Sequence, residues 1–409
     1  MIKIPDKLRE DVLKAKRKIE EHSEITLVHH DDADGICSAA LTMLGVGLGR
    51  RIRRICLEKL FPEAIRLIHM HQKSNELVIY VDLGSPHVKT ISKNLGRGSV
   101  LVIDHHDPEE VDDERIVHIN PELYGFKGET DASASTMVYV TFKLMGKNIL
   151  EHAFLAIIGS AEIPRRLRGL NEIPLKDSET TGRVRKYVSK TSEKYYVDFY
   201  GLRKPHYIIS SIITTISSIG YYREGPKYAV KACFDGLTKE IMKFYDEMME
   251  LKKELFGKAL SKIRNEGLRK TKYVQWFNVG KLFYNVGVKT IGLFTSQLRY
   301  KSLVDLDKYI LGFMEMNPEI PGLGKLPGQL LKVSGRVPPP LEEKIRKGEM
   351  PSIADVMVKA AEYVGGFADG HMFASSGIIK KEYIERFVEE FDKIVSEKIG
   401  KKGILKYFT

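Results

Sequence analysis

An α/β fold built on a mostly parallel sheet, with helices on both faces, is predicted by the first 160 of the 409 residues. Short runs of strand-forming residues alternate there with helical segments. Three of the strands end in histidine or aspartate, at the carboxyl edge where open α/β sheets gather their ligands. A second alternating region begins near Gln275, after a long charged segment.

The chain starts with an amphipathic helix, MIKIPDKLREDVLKAKRKIEEH, without an apolar signal core. Strand 25–30 leads into a helix from Ile36 to Leu48, and a basic strand follows at Arg51–Leu57. A helix near Pro62–His71 precedes strand 77–82, and another near Pro86–Leu95 precedes strand 99–104. Ile116–Ile119 is a further strand. Helices then run from Ala132 to Met145 and from Leu150 to Ala161. The segment Thr130–Thr136 opens the first of these, either as an N-cap or as a phosphate contact.

The strand ends carry the chemistry. VHHDDADG follows the first strand and places His30, Asp32 and Asp34 at alternate positions, with Gly35 allowing the turn into a helix. Asp82 ends the third strand, and Asp104, His105 and His106 follow the fourth. A single acid at a strand end is ordinarily a helix cap or a loop acid. Seven His and Asp residues gather on neighbouring strands, and the four aspartates among them repel one another unless cations neutralise them, so the set reads as a metal site, most simply a dinuclear one. Imidazole and carboxylate ligands without thiolate suit manganese first, with magnesium, cobalt or zinc as alternatives.

Composition agrees with a cytoplasmic enzyme acting on a polyanion. The net charge is +11, which suits nucleic acid. No run of apolar residues is long enough for a membrane span, since Ile208–Ile219 is studded with Ser and Thr. Cys37, Cys56 and Cys233 lack metal or disulfide spacing and read as small buried hydrophobes.

Between Pro164 and Gly225 the pattern is harder to read. Arg165, Arg166, Arg168, Arg183, Arg185 and Lys186 interleave with Tyr187, Tyr195, Tyr196 and Tyr200. Such a mixture is either a stacking platform for single strands or a set of surface cations beside core tyrosines. Residues 236–268 read as one long charged helix. Beyond it, Trp276–Val279, Leu282–Val286, Thr290–Leu293 and Tyr309–Met314 read as strands, and Gly322–Gly328 as a turn without nucleotide-binding spacing.

These motifs resemble those of the DHH/DHHA1 phosphoesterase superfamily, nearest its archaeal RecJ-like single-strand exonucleases. Asp104-His105-His106 resembles the triplet that names it, His30-x-Asp32-x-Asp34-Gly35 its first motif and VDLG its second. Gly370-His371-Met372-Phe373-Ala374-Ser375-Ser376-Gly377 is similar to the GGHxxAAG signature of the companion DHHA1 domain. Lys332-Val333-Ser334-Gly335-Arg336 is similar to that domain's preceding strand. The resemblance implies a DHH domain at 1–235, a helical connector at 236–274, and a smaller α/β DHHA1 substrate-binding domain at 275–409. It also implies an active-site cleft between the two domains.

The implied activity is two-metal hydrolysis of phosphodiester bonds in single-stranded DNA or RNA, in replication or repair. Asp82 would bridge two divalent ions, with His30 and Asp32 on one and Asp34 and His105 on the other. His106 would face substrate and Asp104 would orient the histidines, making Asp82, Asp104 and His106 the catalytic set. Arg336, Gly370 and His371 would bind substrate phosphate. The chain departs from the family at its fourth acid: Ile163 stands where an Asp is usual, with Glu162 one residue earlier as a substitute ligand. Two alternatives follow. One is a catalytically weak scaffold or binding subunit of the replicative helicase with a GINS-like partner. The other is a phosphodiesterase for short oligonucleotides or cyclic dinucleotides.

Overall fold

A computed structural model describes residues 2–163, 166–189 and 193–405. The chain divides into two compact units: residues 1–248 with 320–324, and residues 249–319 with 325–409. The division falls inside the helix Lys239–Glu266, the long charged segment of the sequence.

The first unit is built on five strands: β1 (Glu24–His30), β2 (Ile52–Leu57), β3 (Glu76–Val81), β4 (Ser99–Ile103) and β5 (Ile116–Ile119). Their order is β2-β1-β3-β4-β5, and every pairing is parallel. The cores of β1, β3 and β4 are buried on both faces, as expected of a parallel sheet under two helical layers. Strand order reverses between β1 and β3, since β2 extends the sheet one way and β4 and β5 the other. A crevice opens at such a reversal, beyond the carboxyl ends of the two diverging strands. His29 pairs with Val81, and Val81 with Ile103. His30, Asp82 and Asp104 therefore stand one step past a shared rung.

The helices follow the sequence reading closely. The amphipathic Asp6–Glu21 helix buries Leu8, Val12, Ala15 and Ile19, and Ala33–Val46 starts three residues earlier than the apolar pattern indicates. The predicted 132–145 helix runs from Ala134 to Leu144. The predicted 150–161 helix is α-helical only over Ala153–Gly159, with single tight turns at either end.

The stretch that was hard to read holds an antiparallel sheet of β6 (Val184–Val188), β7 (Glu193–Phe199) and β8 (Leu202–Pro205). Tyr195, Val197 and Phe199 form its buried face. The Ser/Thr-studded segment is the helix His206–Ile219. Arg165, one of the basic residues noted there, lies outside the described residues.

The second unit carries β9 (Arg269–Lys270), β10 (Val274–Asn278), β11 (Tyr309–Glu315), β14 (Leu330–Arg336), β15 (Phe367–His371) and β16 (Ala374–Lys380), in the order β15-β16-β14-β11-β10-β9. A short ribbon of β12 (Glu319–Ile320) and β13 (Gly324–Lys325) holds the turn read at Gly322. Two expected strands are absent. Leu282–Val286 lies in and after a 3-10 turn, Gly280–Phe283, entered through Gly280 at φ 58°. Thr290–Leu293 belongs to the helix Lys289–Leu298. Its buried Ile291, Phe294, Thr295 and Leu298 repeat at helical spacing, which a four-residue window does not contain.

Candidate metal centre

The first loop after β1 is tied down at every residue. Asp32 caps the helix Ala33–Val46, accepting the Gly35 N–H at 3.0 Å. A side chain at Gly35 would put its Cβ 2.5 Å from the His30 carbonyl oxygen, so the turn requires glycine. Ala33 N–H donates to the Thr214 hydroxyl at 3.0 Å, and Ser218 donates to buried Asp31 at 2.7 Å. Thr214 and Ser218, one turn apart on His206–Ile219, explain two of the polar residues in that apolar helix. Asp31, Thr214 and Ser218 escaped the sequence reading. Their signal was the run of hydroxyls in the helix His206–Ile219, which does not by itself single out Thr214 and Ser218.

Asp82 is only 2% exposed. Its backbone is left-handed, at φ 58°, a region that aspartate tolerates better than most residues. Asp82 N–H pairs with Ile103 O at 3.1 Å, so the turn places the carboxylate at the strand end. Two groups of potential ligand atoms, each within 4.8 Å of one another, meet here: His30, Asp32 and Asp82, and Asp82, His105 and His106. Asp82 belongs to both. Its Oδ2 is buried and accepts no hydrogen bond among the described residues, while His30 Nδ1 lies 3.4 Å away.

Each of the three histidines is anchored through one ring nitrogen. His30 Nε2 lies 3.3 Å from the Glu58 carbonyl, His105 Nδ1 3.0 Å from the Gly128 carbonyl, and His106 Nδ1 2.7 Å from Asp104 Oδ1. An oxygen acceptor on one nitrogen fixes the tautomer and leaves the other nitrogen's lone pair for a cation or a substrate. His30 Nδ1 points at Asp32 Oδ2 (2.8 Å) and His105 Nε2 at Asp82 Oδ1 (3.5 Å).

Asp104 is fully buried and accepts from the N–H groups of Ser85 and His105 and from His106. Burial favours its neutral form, but His106, His105 and the Ser85 N–H outweigh it and hold the carboxyl well below its usual range. Behind it, Asn120 donates to both Ser85 Oγ and the His106 carbonyl at 2.8 Å. Burial favours neutral His105, yet the hydrogen bond to Asp82 and the charges of Asp34, Asp82 and Asp104 push it up to about 10. Acids that hold a proton so strongly create the negative potential a divalent ion needs. The buried lone pair of Asp82, the anchored imidazoles and the mixed donor set all fit divalent metal.

Asp34 stands beside these groups and belongs to neither. Its oxygens accept the Ala134 and Ser135 N–H groups at 2.9 and 2.8 Å, and His105 Nε2 lies 3.9 Å from it. Burial, followed by the charge of Asp82, pushes its carboxyl up to about 7. Ser133 is the N-cap of that helix, so the anion at its N-terminus is the chain's own Asp34. A Cβ on Gly159 would come 2.1 Å from Ser135 Oγ and 2.6 Å from Asp34 Oδ1. The fourth-motif segment thus reaches the site through a glycine. Glu162 is exposed and stands in neither ligand group found among the described residues.

The substrate candidates of the second unit share one rung of its sheet. Arg336 pairs with Ala374, and Ala374 with His371. The half-buried Arg336 donates to Ser296 Oγ (2.7 Å), Ser334 Oγ (3.0 Å) and the Gly335 carbonyl (2.8 Å). No carboxylate pairs with it among the described residues, and burial, then Arg299, lowers it to about 10. Such a guanidinium is suited to an anion. Gly370, at φ 150°, is required by the hairpin itself, because a Cβ would lie 2.4 Å from the Ala374 carbonyl oxygen. His371 is exposed at the strand end.

Residues 24–160 match the DHH family, N-terminal domain. An uncharacterised protein of Methanocaldococcus jannaschii is 24% identical over 454 aligned residues, covering 95% of this chain and 98% of that protein. The fold is similar to that of RecJ in complex with Mn2+ from Thermus thermophilus, with a TM-score of 0.62 at 16% identity over 97% of this chain and 56% of that one. This chain thus spans little more than half the length of that RecJ. CDC45 from Entamoeba histolytica is similar at a TM-score of 0.54 and 10% identity, over 95% of this chain and 99% of that one. No helix among the described residues is long and apolar enough to cross a membrane. The DHH match spans the sheet that presents His30, Asp82, Asp104, His105 and His106, and the chain has a RecJ-like fold.

Proposed function

We propose that this chain is a metal-dependent exonuclease that hydrolyses phosphodiester bonds of single-stranded DNA or RNA at a pair of divalent ions, manganese first among them. The observation that carries this reading is the membership of Asp82 in both ligand groups, with one of its oxygens buried and accepting no hydrogen bond. His30 and Asp32 would share one ion with Asp82, and His105 the other, with Asp34 at its edge. Divalent ions there acidify water and neutralise charge on the phosphoryl oxygens. His106, oriented by Asp104 and about half exposed, offers Nε2 to a phosphate oxygen. Arg336 and His371 supply further phosphate-binding donors. The net charge of +11 favours a strand over a cyclic dinucleotide, and the expected setting is replication or repair in the cytoplasm.

The test is hydrolysis of 5′- and 3′-labelled DNA and RNA oligonucleotides with manganese. Laddering from one end supports the reading; no cleavage of any strand under manganese, magnesium, cobalt or zinc overturns it.

One observation favours a second reading. Glu162 stands outside both ligand groups and Asp34 is engaged by backbone donors, so one ion would be held by fewer ligands. A weakly active subunit that binds a replication partner, in line with the CDC45-like fold, would account for this. Glu162→Ala should then leave the manganese dependence of hydrolysis unmoved; a raised half-saturating concentration would restore Glu162 as a ligand.

A further inference from the structure

We propose that the outer face of the β6–β7–β8 sheet is a separate binding surface for single-stranded nucleic acid, with Tyr187 and Tyr196 as its stacking pair. The pairing of Arg185 with Tyr196, Tyr187 with Lys194 and Asp198 with Arg203 puts these six side chains on one face. The opposite face is defined by buried Tyr195, Val197 and Phe199. Tyr187 is 52% exposed. It meets Tyr196 edge to face at 5.1 Å, which leaves ring surface for a base.

The charges on this face are complementary to a phosphate backbone. Asp198 is its one acid and is bonded to Arg203 at 3.3 Å. Arg185 and Lys194, flanking the two rings, have no acidic partner among the described residues. Cations beside stacked aromatics bind single strands without reading sequence, because every base offers a π face and every nucleotide a phosphate. A duplex buries its base faces and should gain only the phosphate contacts. The single strand is the substrate class proposed above, but this surface includes none of the ligand residues named there and can be tested without chemistry.

The experiment measures fluorescence anisotropy of a labelled oligonucleotide of about 16 nucleotides in buffer containing a chelator. Tyr187→Ala with Tyr196→Ala should weaken binding about five- to a hundredfold, while Tyr187→Phe with Tyr196→Phe, which keeps both rings, should bind like the parent. Arg185→Ala with Lys194→Ala should weaken binding and reduce its salt dependence. Hydrolysis of a dinucleotide should be unchanged in the tyrosine variants. Parental affinity in the double alanine variant overturns the proposal. So does equal competition by a duplex of the same length, which would make the face a general polyanion surface. Equal competition by polyglutamate overturns it in favour of an acidic protein partner. Because the binding arm contains no metal, failure of the hydrolytic reading leaves this result readable.

Discussion

Ser218 donates its hydroxyl to Asp31 Oδ2 across 2.7 Å, joining residues 187 positions apart in the chain. The bond clamps the loop after β1 from behind, and His30 Nε2 lies 3.5 Å from the other oxygen of Asp31. Ser218→Ala should therefore act twice. Removing the donor to a buried carboxylate should destabilise the protein by about 1–3 kcal/mol. Loosening the support of His30, a proposed ligand, should lower manganese affinity by about tenfold or more. Calorimetric melting and a manganese titration read the two effects separately, and parental values in both would show that Asp31 is held without this bond.

Asp82 is where backbone and chemistry constrain each other. Its φ of 58° costs a residue with a Cβ about 1–2 kcal/mol, so glycine should relieve the backbone while deleting the carboxylate. Asp82→Gly is expected to melt no lower than the parent and yet lose hydrolysis and most bound manganese. Asp82→Ala should lose the same activity and melt lower than the glycine variant. Hydrolysis at the parental rate in metal-restored Asp82→Gly would end the shared-ligand assignment.

Most of the candidate site was legible because its residues sit at strand ends, where alternation and sequence spacing translate directly into position. His30, Asp32, Asp82, Asp104, His105 and His106 were all found this way, and the structure brings them together. What escaped was non-local. Nothing near Asp31 announces Ser218, and nothing near Asp34 announces the N–H groups of Ala134 and Ser135. Glu162 was singled out by its position in a motif, but the single turn Ser160–Glu162 carries its side chain outward. The β6–β8 sheet was hidden because its strands are short and only one face of β7 alternates cleanly. In the second unit, Thr290–Leu293, part of the helix Lys289–Leu298, reads as a strand because threonine and branched apolar residues favour strands when read over a few positions.

Acid should weaken the fold through half-buried His206. Burial lowers His206 to about 4, below its ordinary value of about 6.5. The folded state therefore resists a proton that the unfolded chain accepts. Stability is complete above pH ~6.5, declines as pH falls toward ~4, and levels off below it, by about 3 kcal/mol at most for this one group. His206→Phe keeps a ring against Tyr195, whose ring centroid lies 5.3 Å away, and removes the titration. Urea midpoints at several pH values should fall less steeply in the variant than in the parent. Identical slopes would mean that His206 titrates alike in both states.

Arg336 separates binding from metal chemistry. It is held by Ser296, Ser334 and Gly335 rather than by an acid, so its charge remains available to an incoming phosphate. A charge-assisted phosphate contact of this kind contributes about 1.5–3 kcal/mol. Arg336→Ala should accordingly reduce kcat/KM on a single-stranded oligonucleotide by roughly ten- to a hundredfold, with bound manganese unchanged. The salt dependence of binding should also become shallower. Because the substitution empties a half-buried position, Arg336→Lys is the companion variant. It preserves one charge but not the fork that reaches Ser296 and Ser334, and it should recover part of the loss. His371→Ala should shift kcat/KM in the same direction, since His371 stands on the same rung, through Ala374. If both alanine variants cleave the strand as fast as the parent while remaining folded, the second unit does not hold the substrate phosphate, and the Arg336–Ala374–His371 rung is structural.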